Sequence, residues 1–293
     1  MYAACDLCGT PNPKRLLESP RLDGPLVRCR NCGLVYVGAR RSDFTFAAGA
    51  DDERSQKLAA QVATLGLVDH QIEDAERPLR IRADEERLQR LLRHVETHDK
   101  LLDVGAATGT FLTVAQKAFA HAIGIEPDPI TSAQARAAGL DVRTGTLADI
   151  EQTGFDAITM LHVIEHLDSP HAALRQTANL LTPGGALLIE TPSIDNVWFK
   201  LAPRRWRQLI PDHYYFFSRS TLEQLLRASG LEPVEHQKIG RHVSARFAAD
   251  RLRRAGVPGS KALQRTLTTL RTEERTIRIN PGDIMSVVAV RAR

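Results

Sequence analysis

The sequence has 293 residues, of which 43% are apolar and 25% charged, the balance of an ordinary globular chain rather than a disordered or fibrous one. No apolar run approaches the ~18 residues needed to cross a bilayer, and Met1 to Cys8 lacks the basic start and apolar stretch of a secretory signal, so the expected compartment is the cytoplasm. The net charge of +4 is uneven: residues 200–279 carry 17 Lys/Arg against 7 Asp/Glu, and the rest of the chain carries 22 against 28. A basic face of that kind draws in an anionic small molecule, a nucleic acid or a lipid headgroup reached from outside the membrane, or is simply a solvated helical surface.

In chain order, residues 1–40 hold all four cysteines and end in a short apolar strand, Leu34 to Val37. Residues 41–98 have a helical composition, clearest where Leu88, Leu91, Leu92 and Val95 form one stripe. Residues 99–200 alternate strand and helix, within an expected domain of residues 99–293. Strands are expected at Lys100–Val104, Ala122–Ile125, Asp141–Arg143, Phe155–Leu161 and Ala186–Thr191. Helices are expected at Phe111–Phe119, Ile130–Ala138 and His171–Leu181. That alternation predicts an α/β, Rossmann-like, doubly wound and mostly parallel sheet, with a ligand at the carboxyl ends of its strands. Ser220 to Glu223 reads as a capping box opening a helix that Gly230 ends. Strands follow at Glu232–Lys238 and Ile284–Val290. Residues 241–279 between them read as a helical insertion with Leu263, Leu267, Leu270 and Ile277 on one face.

Cys5-x2-Cys8 and Cys29-x2-Cys32 are separated by 20 residues, within the spacing of a four-thiolate structural zinc site. Gly9 and Gly33 follow the two pairs, and glycine supplies the tight turn after a second thiolate. In a reducing compartment such a cluster points to metal ligands rather than disulfides. Four sulfur ligands leave no open position, so the metal should stabilise the fold.

The stretch LLDVGAATGTFL (101–112) runs an apolar strand into a turn of small residues and then an amphipathic helix, a turn that lets the backbone approach a ligand closely. Glu126 ends the next strand, 17 residues after Gly109, where a carboxylate can accept from both hydroxyls of a ribose. FDAITMLHVIEHLDSP (155–170) and LLTPGGALLIETPS (180–193) complete an ordered series. This series resembles the class I S-adenosylmethionine-dependent methyltransferases, from about Leu88 to Gly240 and again over Asp283–Arg293. The resemblance implies that Asp103, Gly105, Ala106 and Gly109 surround the methionine part of the cofactor. It places Glu126 on the ribose, Thr146 and Leu147 beside the adenine, and Leu161 and His162 beneath the sulfonium. Ala107 stands at the middle loop position usually taken by glycine, and is unstrained there only at negative φ. VRCRNCGLVYVGAR (27–40) after the first cysteine pair is similar to the zinc-module methyltransferases of sugar and natural-product pathways.

Three histidines are candidate catalytic residues. His162 and His166 flank Glu165 at a spacing that suits one face of a helical turn, for a proton relay or a metal site. His213 lies in PDHYYFFS (211–218), which resembles a segment frequent in the same methyltransferases and is followed by aromatics fit to shape an acceptor pocket. Trp198, Phe199, Arg204, Arg205 and Trp206 suit a lid or a grip on an apolar acceptor with an anionic end. The function expected is methyl transfer to a small-molecule acceptor: a sugar, polyketide, quinone or lipid intermediate, at oxygen or carbon. Two other readings are an RNA methyltransferase, opposed by the modest total charge, and a non-catalytic docking paralogue, opposed by the intact loop and Glu126. The oligomeric state has no signature in the sequence.

Overall fold

The computed structural model describes residues 2–39, 76–254, 258–270, 272 and 274–293. Most of the expected helical segment 41–98 therefore lies outside the described residues, up to residue 75. The N-terminal segment forms three antiparallel strands, β1 (Lys14–Leu17), β2 (Leu26–Arg28) and β3 (Val35–Val37). Their inward residues Leu26, Val27 and Val35 are fully buried.

The first described helix, α1 (Arg77–Leu92), buries Leu88 and Leu91 as its periodicity requires, and Val95 is buried just beyond its end. Its polar residues are also tied down. Arg87 lies 2.7 Å from the carboxylate of Glu190 and Arg90 lies 3.3 Å from it, and Glu190 has no solvent exposure. A buried carboxylate is tolerable only with such partners.

The remaining elements build the sheet that positions the site. In order they are β4 (Lys100–Val104), α2 (Thr110–Ala115), β5 (His121–Glu126), α3 (Pro129–Ala137), β6 (Val142–Thr144), β7 (Phe155–Leu161), α4 (Pro170–Leu180), β8 (Leu181–Pro192), α5 (Val197–Leu201), β9 (Tyr215–Phe216), α6 (Arg219–Ala228), β10 (Leu231–Lys238), β11 (Arg241–Ser244), α7 (Ala245–Arg254), α8 (Ser260–Thr269), β12 (Thr276–Ile279) and β13 (Ile284–Arg291). Among the described residues, seven strands form one sheet in the order β6-β5-β4-β7-β8-β13-β10. The first five are mutually parallel, and β13 runs antiparallel to both its neighbours. Buried on both faces, β4 and β7 are nearly continuous apolar runs. The chain winds outward from β4 to β6, then crosses back to β7, so the strand order reverses between β4 and β7. A crevice opens at the carboxyl ends of those two strands.

Three sequence expectations need correction. The helix α6 is capped by Ser218, whose hydroxyl accepts from the Thr221 N–H, and not by Ser220. Both serines offer the same cap chemistry, but Phe217 is pinned beside Ser193 by a strand bridge, so the helix starts immediately after it. Residues 241–279 are not wholly helical: β11 and β12 pair antiparallel and bracket α7 and α8. β-Branched Thr276, Ile277 and Ile279 suit that ribbon. Leu263, Leu270 and Ile277 are 42%, 64% and 39% exposed, so they do not form a buried face.

The N-terminal sheet does not stand apart. Two-residue β9 adds to it as a fourth strand, pairing Val35 with Phe216 and Tyr36 with Tyr215. Leu26, Val35 and Phe216 belong to the same apolar core as Met160 and Ile189 of the large sheet.

Candidate active site

The turn after β4 is built for close approach. Gly105 and Gly109 take φ of +72° and +80°, and the N–H groups of Gly105 and Ala106 donate to the Ile125 carbonyl at 2.8 and 3.1 Å. Ala107 also sits at positive φ, +49°, against the negative value that would leave it unstrained. Its N–H donates to Glu126 Oε2 at 2.9 Å, and the Asp128 N–H donates to Glu126 Oε1 at 2.9 Å. The strained alanine is thus held by the carboxylate it helps to aim. Each Glu126 oxygen accepts one protein N–H, which leaves lone pairs for a vicinal diol. Asp103 at the end of β4 is buried and accepts from the Thr159 hydroxyl at 2.6 Å. Burial raises its carboxyl to about 7, against the opposing pull of Thr159.

A cleft of about 620 Å³ opens over this turn. Among the residues named from sequence, Asp103, Gly105, Ala106, Leu161, His162, His166 and His213 line it. Gly109, Glu126, Thr146 and Leu147 are not part of its lining. Thr146 instead caps the turn Leu147–Asp149 through Asp149, and the Leu147 carbonyl accepts from the Gln176 side chain at 2.7 Å.

The three histidines meet a buried glutamate at one end of the cleft. His162 adopts φ of +59°, a conformation costly for a residue with a side chain, and sets Nδ1 3.4 Å from Glu165 Oε1. The other Glu165 oxygen accepts from the Thr191 hydroxyl at 2.9 Å. Burial pushes the Glu165 carboxyl up, but His162, His166 and His213 outweigh it and hold it at about 2. The rings of His166 and His213 pack edge-on with centroids 4.7 Å apart. Burial pulls His166 down, yet the bond and charge of Asp212, 3.2 Å away, and the charge of Glu165 raise it to about 9. Burial and the charge of His166 lower His213 to about 4. At neutral pH the set therefore holds an ionised glutamate, an imidazolium at His166 and a neutral imidazole at His213. The His213 Nδ1–H donates to the Gln208 carbonyl at 2.9 Å, and this tautomer leaves Nε2 with the lone pair. Ligand atoms of Glu165, His166 and His213 lie within 4.8 Å of one another. That geometry suits proton handling, or a metal ion whose binding would displace the His166 proton.

The segment before His213 closes one side of the cleft. Arg207 and Gln208 line it, whereas Arg204 and Arg205 are exposed outside it. Phe199 and Trp206 are buried against each other at 5.1 Å. Tyr214 to Phe217, expected to wall an acceptor pocket, are buried instead where the N-terminal sheet meets the large one. Sequence reading did not single out Arg80, Arg87, Arg241 and Arg251, which also line the cleft. The signal available for the first two was their i, i+7 placement on one helix face.

The cysteines converge as their spacing requires. Cys5 and Cys32 sulfurs lie 3.4 Å apart, Cys8 and Cys29 sulfurs 3.5 Å apart, and all four fall within 4.8 Å of one another. Zinc–sulfur bonds of about 2.3 Å in a tetrahedron need sulfur separations of about 3.8 Å. Gly9 and Gly33 take φ of +68° and +80°, as thiolate turns need. Asp6, inside the first knuckle, accepts from the Ser169 hydroxyl at 2.7 Å and the His171 N–H at 2.8 Å, at the start of α4.

The reversal at β4, the small-residue turn and the acid after β5 define a Rossmann-like methyltransferase fold. A family profile described as a methyltransferase domain matches residues 73–236, more than half of the sequence. The chain belongs to that family, the class I S-adenosylmethionine-dependent methyltransferases. It is 35% identical over 112 residues to a ubiquinone biosynthesis O-methyltransferase of Xanthomonas oryzae pv. oryzae, covering 35% of this chain and 47% of that one. It is 28% identical over 156 residues to that of Ruegeria pomeroyi, covering 47% and 62%. The chain thus spans about half the length of these relatives. A methyltransferase structure from Galdieria sulphuraria aligns over 81% of this chain and 98% of its own, with a TM-score of 0.51 and 16% identity. The complex of the Haloferax volcanii Trm112 activator with its methyltransferase aligns over 75% and 97%, with a TM-score of 0.50 and 20% identity. At these identities the structures establish the fold alone. Among the described residues, no helix is long and apolar enough to cross a membrane.

Proposed function

We propose that the protein transfers a methyl group from S-adenosylmethionine to an oxygen or carbon of a small-molecule acceptor. The observation that carries this reading is Glu126, whose carboxylate is aimed by two backbone N–H groups at the end of β5 and still has lone pairs to offer. The O-methyltransferase relatives support a small-molecule acceptor. When bound, the cofactor supplies an electrophilic methyl group. Glu126 would accept from its ribose hydroxyls, with Thr146 and Leu147 beside the adenine. Asp103, Gly105, Ala106 and Gly109 would surround its methionine part, where a cationic amino group would draw Asp103 back to its ionised form. Leu161 and His162 would line the approach to the sulfonium.

His213 would take the acceptor proton at Nε2, since Nδ1 is committed to the Gln208 carbonyl. Burial and the imidazolium of His166 hold His213 in that neutral state, against the opposing pull of Glu165 and Asp212. Cys5, Cys8, Cys29 and Cys32 would hold a structural zinc ion that anchors the N-terminal sheet. Free thiols in that number fit the cytoplasm.

Calorimetry with S-adenosylmethionine tests the assignment. Replacing Glu126 with alanine removes charge-assisted acceptors worth roughly 1.5–3 kcal/mol each, so affinity should fall at least about tenfold. Unchanged affinity in Glu126→Ala, or a preference for NAD, would overturn it.

A further inference from the structure

The cleft has a charged wall that proton transfer does not use. Arg80 and Arg87 stand two turns apart on α1, Arg207 precedes β9, Arg241 opens β11 and Arg251 lies on α7; all five line the cleft. The acids of the same cleft already have partners, as Asp103 has in Thr159. Glu76 accepts from the N–H and hydroxyl of Ser244 at 3.0 and 2.6 Å, Asp84 pairs with Arg87 at 2.7 Å, and Asp250 pairs with Arg253 at 2.7 Å. Arg207 is taken by Asp283 at 2.7 Å, and Arg87 also by Glu190. The Arg241 side chain has no hydrogen-bond or ion-pair partner among the described residues. Arg241 is exposed at the cleft, and its pKa is lowered by partial desolvation there and by the charges of Arg207, Arg80, Arg251 and Arg87. A cation held among cations is destabilised until an anion arrives.

We propose that this wall is a phosphoryl subsite, and that the methyl acceptor carries a phosphate or diphosphate group whose oxygens Arg241 receives. The proposal rests on the methyl-transfer reading above and names its substrate class. A guanidinium presents a planar fork of donors, and one fork saturates one edge of a carboxylate. Arginines converging from α1, β11, α7 and the segment before β9 suit a group whose oxygens point in several directions, which a phosphoryl group offers and a carboxylate does not.

The test is calorimetric titration of the protein saturated with S-adenosylhomocysteine, at fixed ionic strength, using inorganic pyrophosphate, phosphate and acetate as probes. Saturable pyrophosphate binding is expected in the wild type, at least tenfold weaker in Arg241→Gln and in Arg80→Gln. It should be unchanged in Arg175→Gln, an exposed arginine of α4 outside the cleft. Retained S-adenosylhomocysteine affinity certifies that each variant is folded. If Arg241→Gln loses that affinity, Arg241→Lys decides: the charge is kept and the fork lost, so pyrophosphate should bind several-fold more weakly. Absence of saturable pyrophosphate binding, equal binding by wild type and the Arg241 variant, or acetate binding as tightly as pyrophosphate would each overturn the subsite. Those outcomes leave the methyl-transfer reading standing. That reading fails separately, if S-adenosylhomocysteine itself does not bind.

Discussion

His166 and His213 touch edge-on at 4.7 Å, yet their surroundings drive them to opposite protonation states, about 9 and about 4. Asp212 makes the difference: it faces His166 and leaves His213 to burial and to the repulsion of its charged neighbour. A neutral His213 is already in its basic form well below pH 7. His213→Gln should therefore lower turnover by roughly 10²–10⁴-fold, with S-adenosylmethionine affinity unchanged. In the wild type, kcat should rise with pH along a limb near pH 4 and be level from about pH 5.5 upward. A limb near 6.5, the value of a free imidazole, would mean that the buried, repelled state is not the working one. If the acceptor KM rises in the variant and kcat does not move, His213 only positions the segment. The identity of these residues could be read from the sequence, because motif order singles out His162, His166 and His213. Their protonation states could not, since Asp212 and the Gln208 carbonyl reach them only through the fold. Arg241 was hidden for the same reason: an arginine opening a short ribbon has no local signature.

At the scale of elements, the parallel strands were legible because strands buried on both faces are apolar throughout, and β4, β7 and β13 begin where the sequence places them. Two-residue β9 was not, since a pair of aromatics has no period to detect. Its position matters most, because it carries the chain directly from His213 onto β3, and the Val37 N–H donates to the Tyr214 carbonyl at 2.8 Å. The N-terminal module thereby braces the segment that presents His213. Metal analysis of protein purified without chelator should find one equivalent of zinc. Stripping it should lower thermal stability and turnover together; full turnover in stripped protein would uncouple module from site. A finer cut is Asp6→Ala, which removes the acceptor at the start of α4 while keeping all four thiols. It should cost about 1 kcal/mol of stability, read as a shift in denaturant midpoint, with zinc content unchanged.

For the whole molecule, the strand order follows from alternation of strand and helix plus one reversal. The coupling of both sheets through a single core follows from no local pattern, because it depends on Leu26, Val35 and Phe216 meeting Met160 and Ile189 across the chain. Phe216 of that common core packs against buried His213, next to buried Glu165, so the ionisation of these groups should be visible in global stability. The folded pKa of His166 is raised to about 9. Its contribution is therefore complete below the unfolded value of about 6.5, and is lost as pH rises through 9, because the folded state then gives up a proton the unfolded chain has already released. His213 has the opposite sign. Its folded pKa is lowered to about 4, so its contribution is complete above about 6.5 and is lost as pH falls through 4. Glu165, lowered to about 2, adds stability above the unfolded carboxylate value of about 4.3 that is lost toward pH 2. Denaturant midpoints measured from pH 4 to pH 9.5 should accordingly pass through a maximum near pH 6.5. Replacing His166 with asparagine should flatten the alkaline limb and shorten the acid limb, since the charge that helps lower His213 is then gone. Replacing His213 with asparagine should flatten the acid limb above pH 4, since no buried imidazole then resists protonation. Wild-type limbs surviving in both variants would show that these histidines titrate alike in the folded and unfolded chain. The asymmetry that leaves His213 free to accept a proton would then have to come from the bound acceptor rather than from the fold.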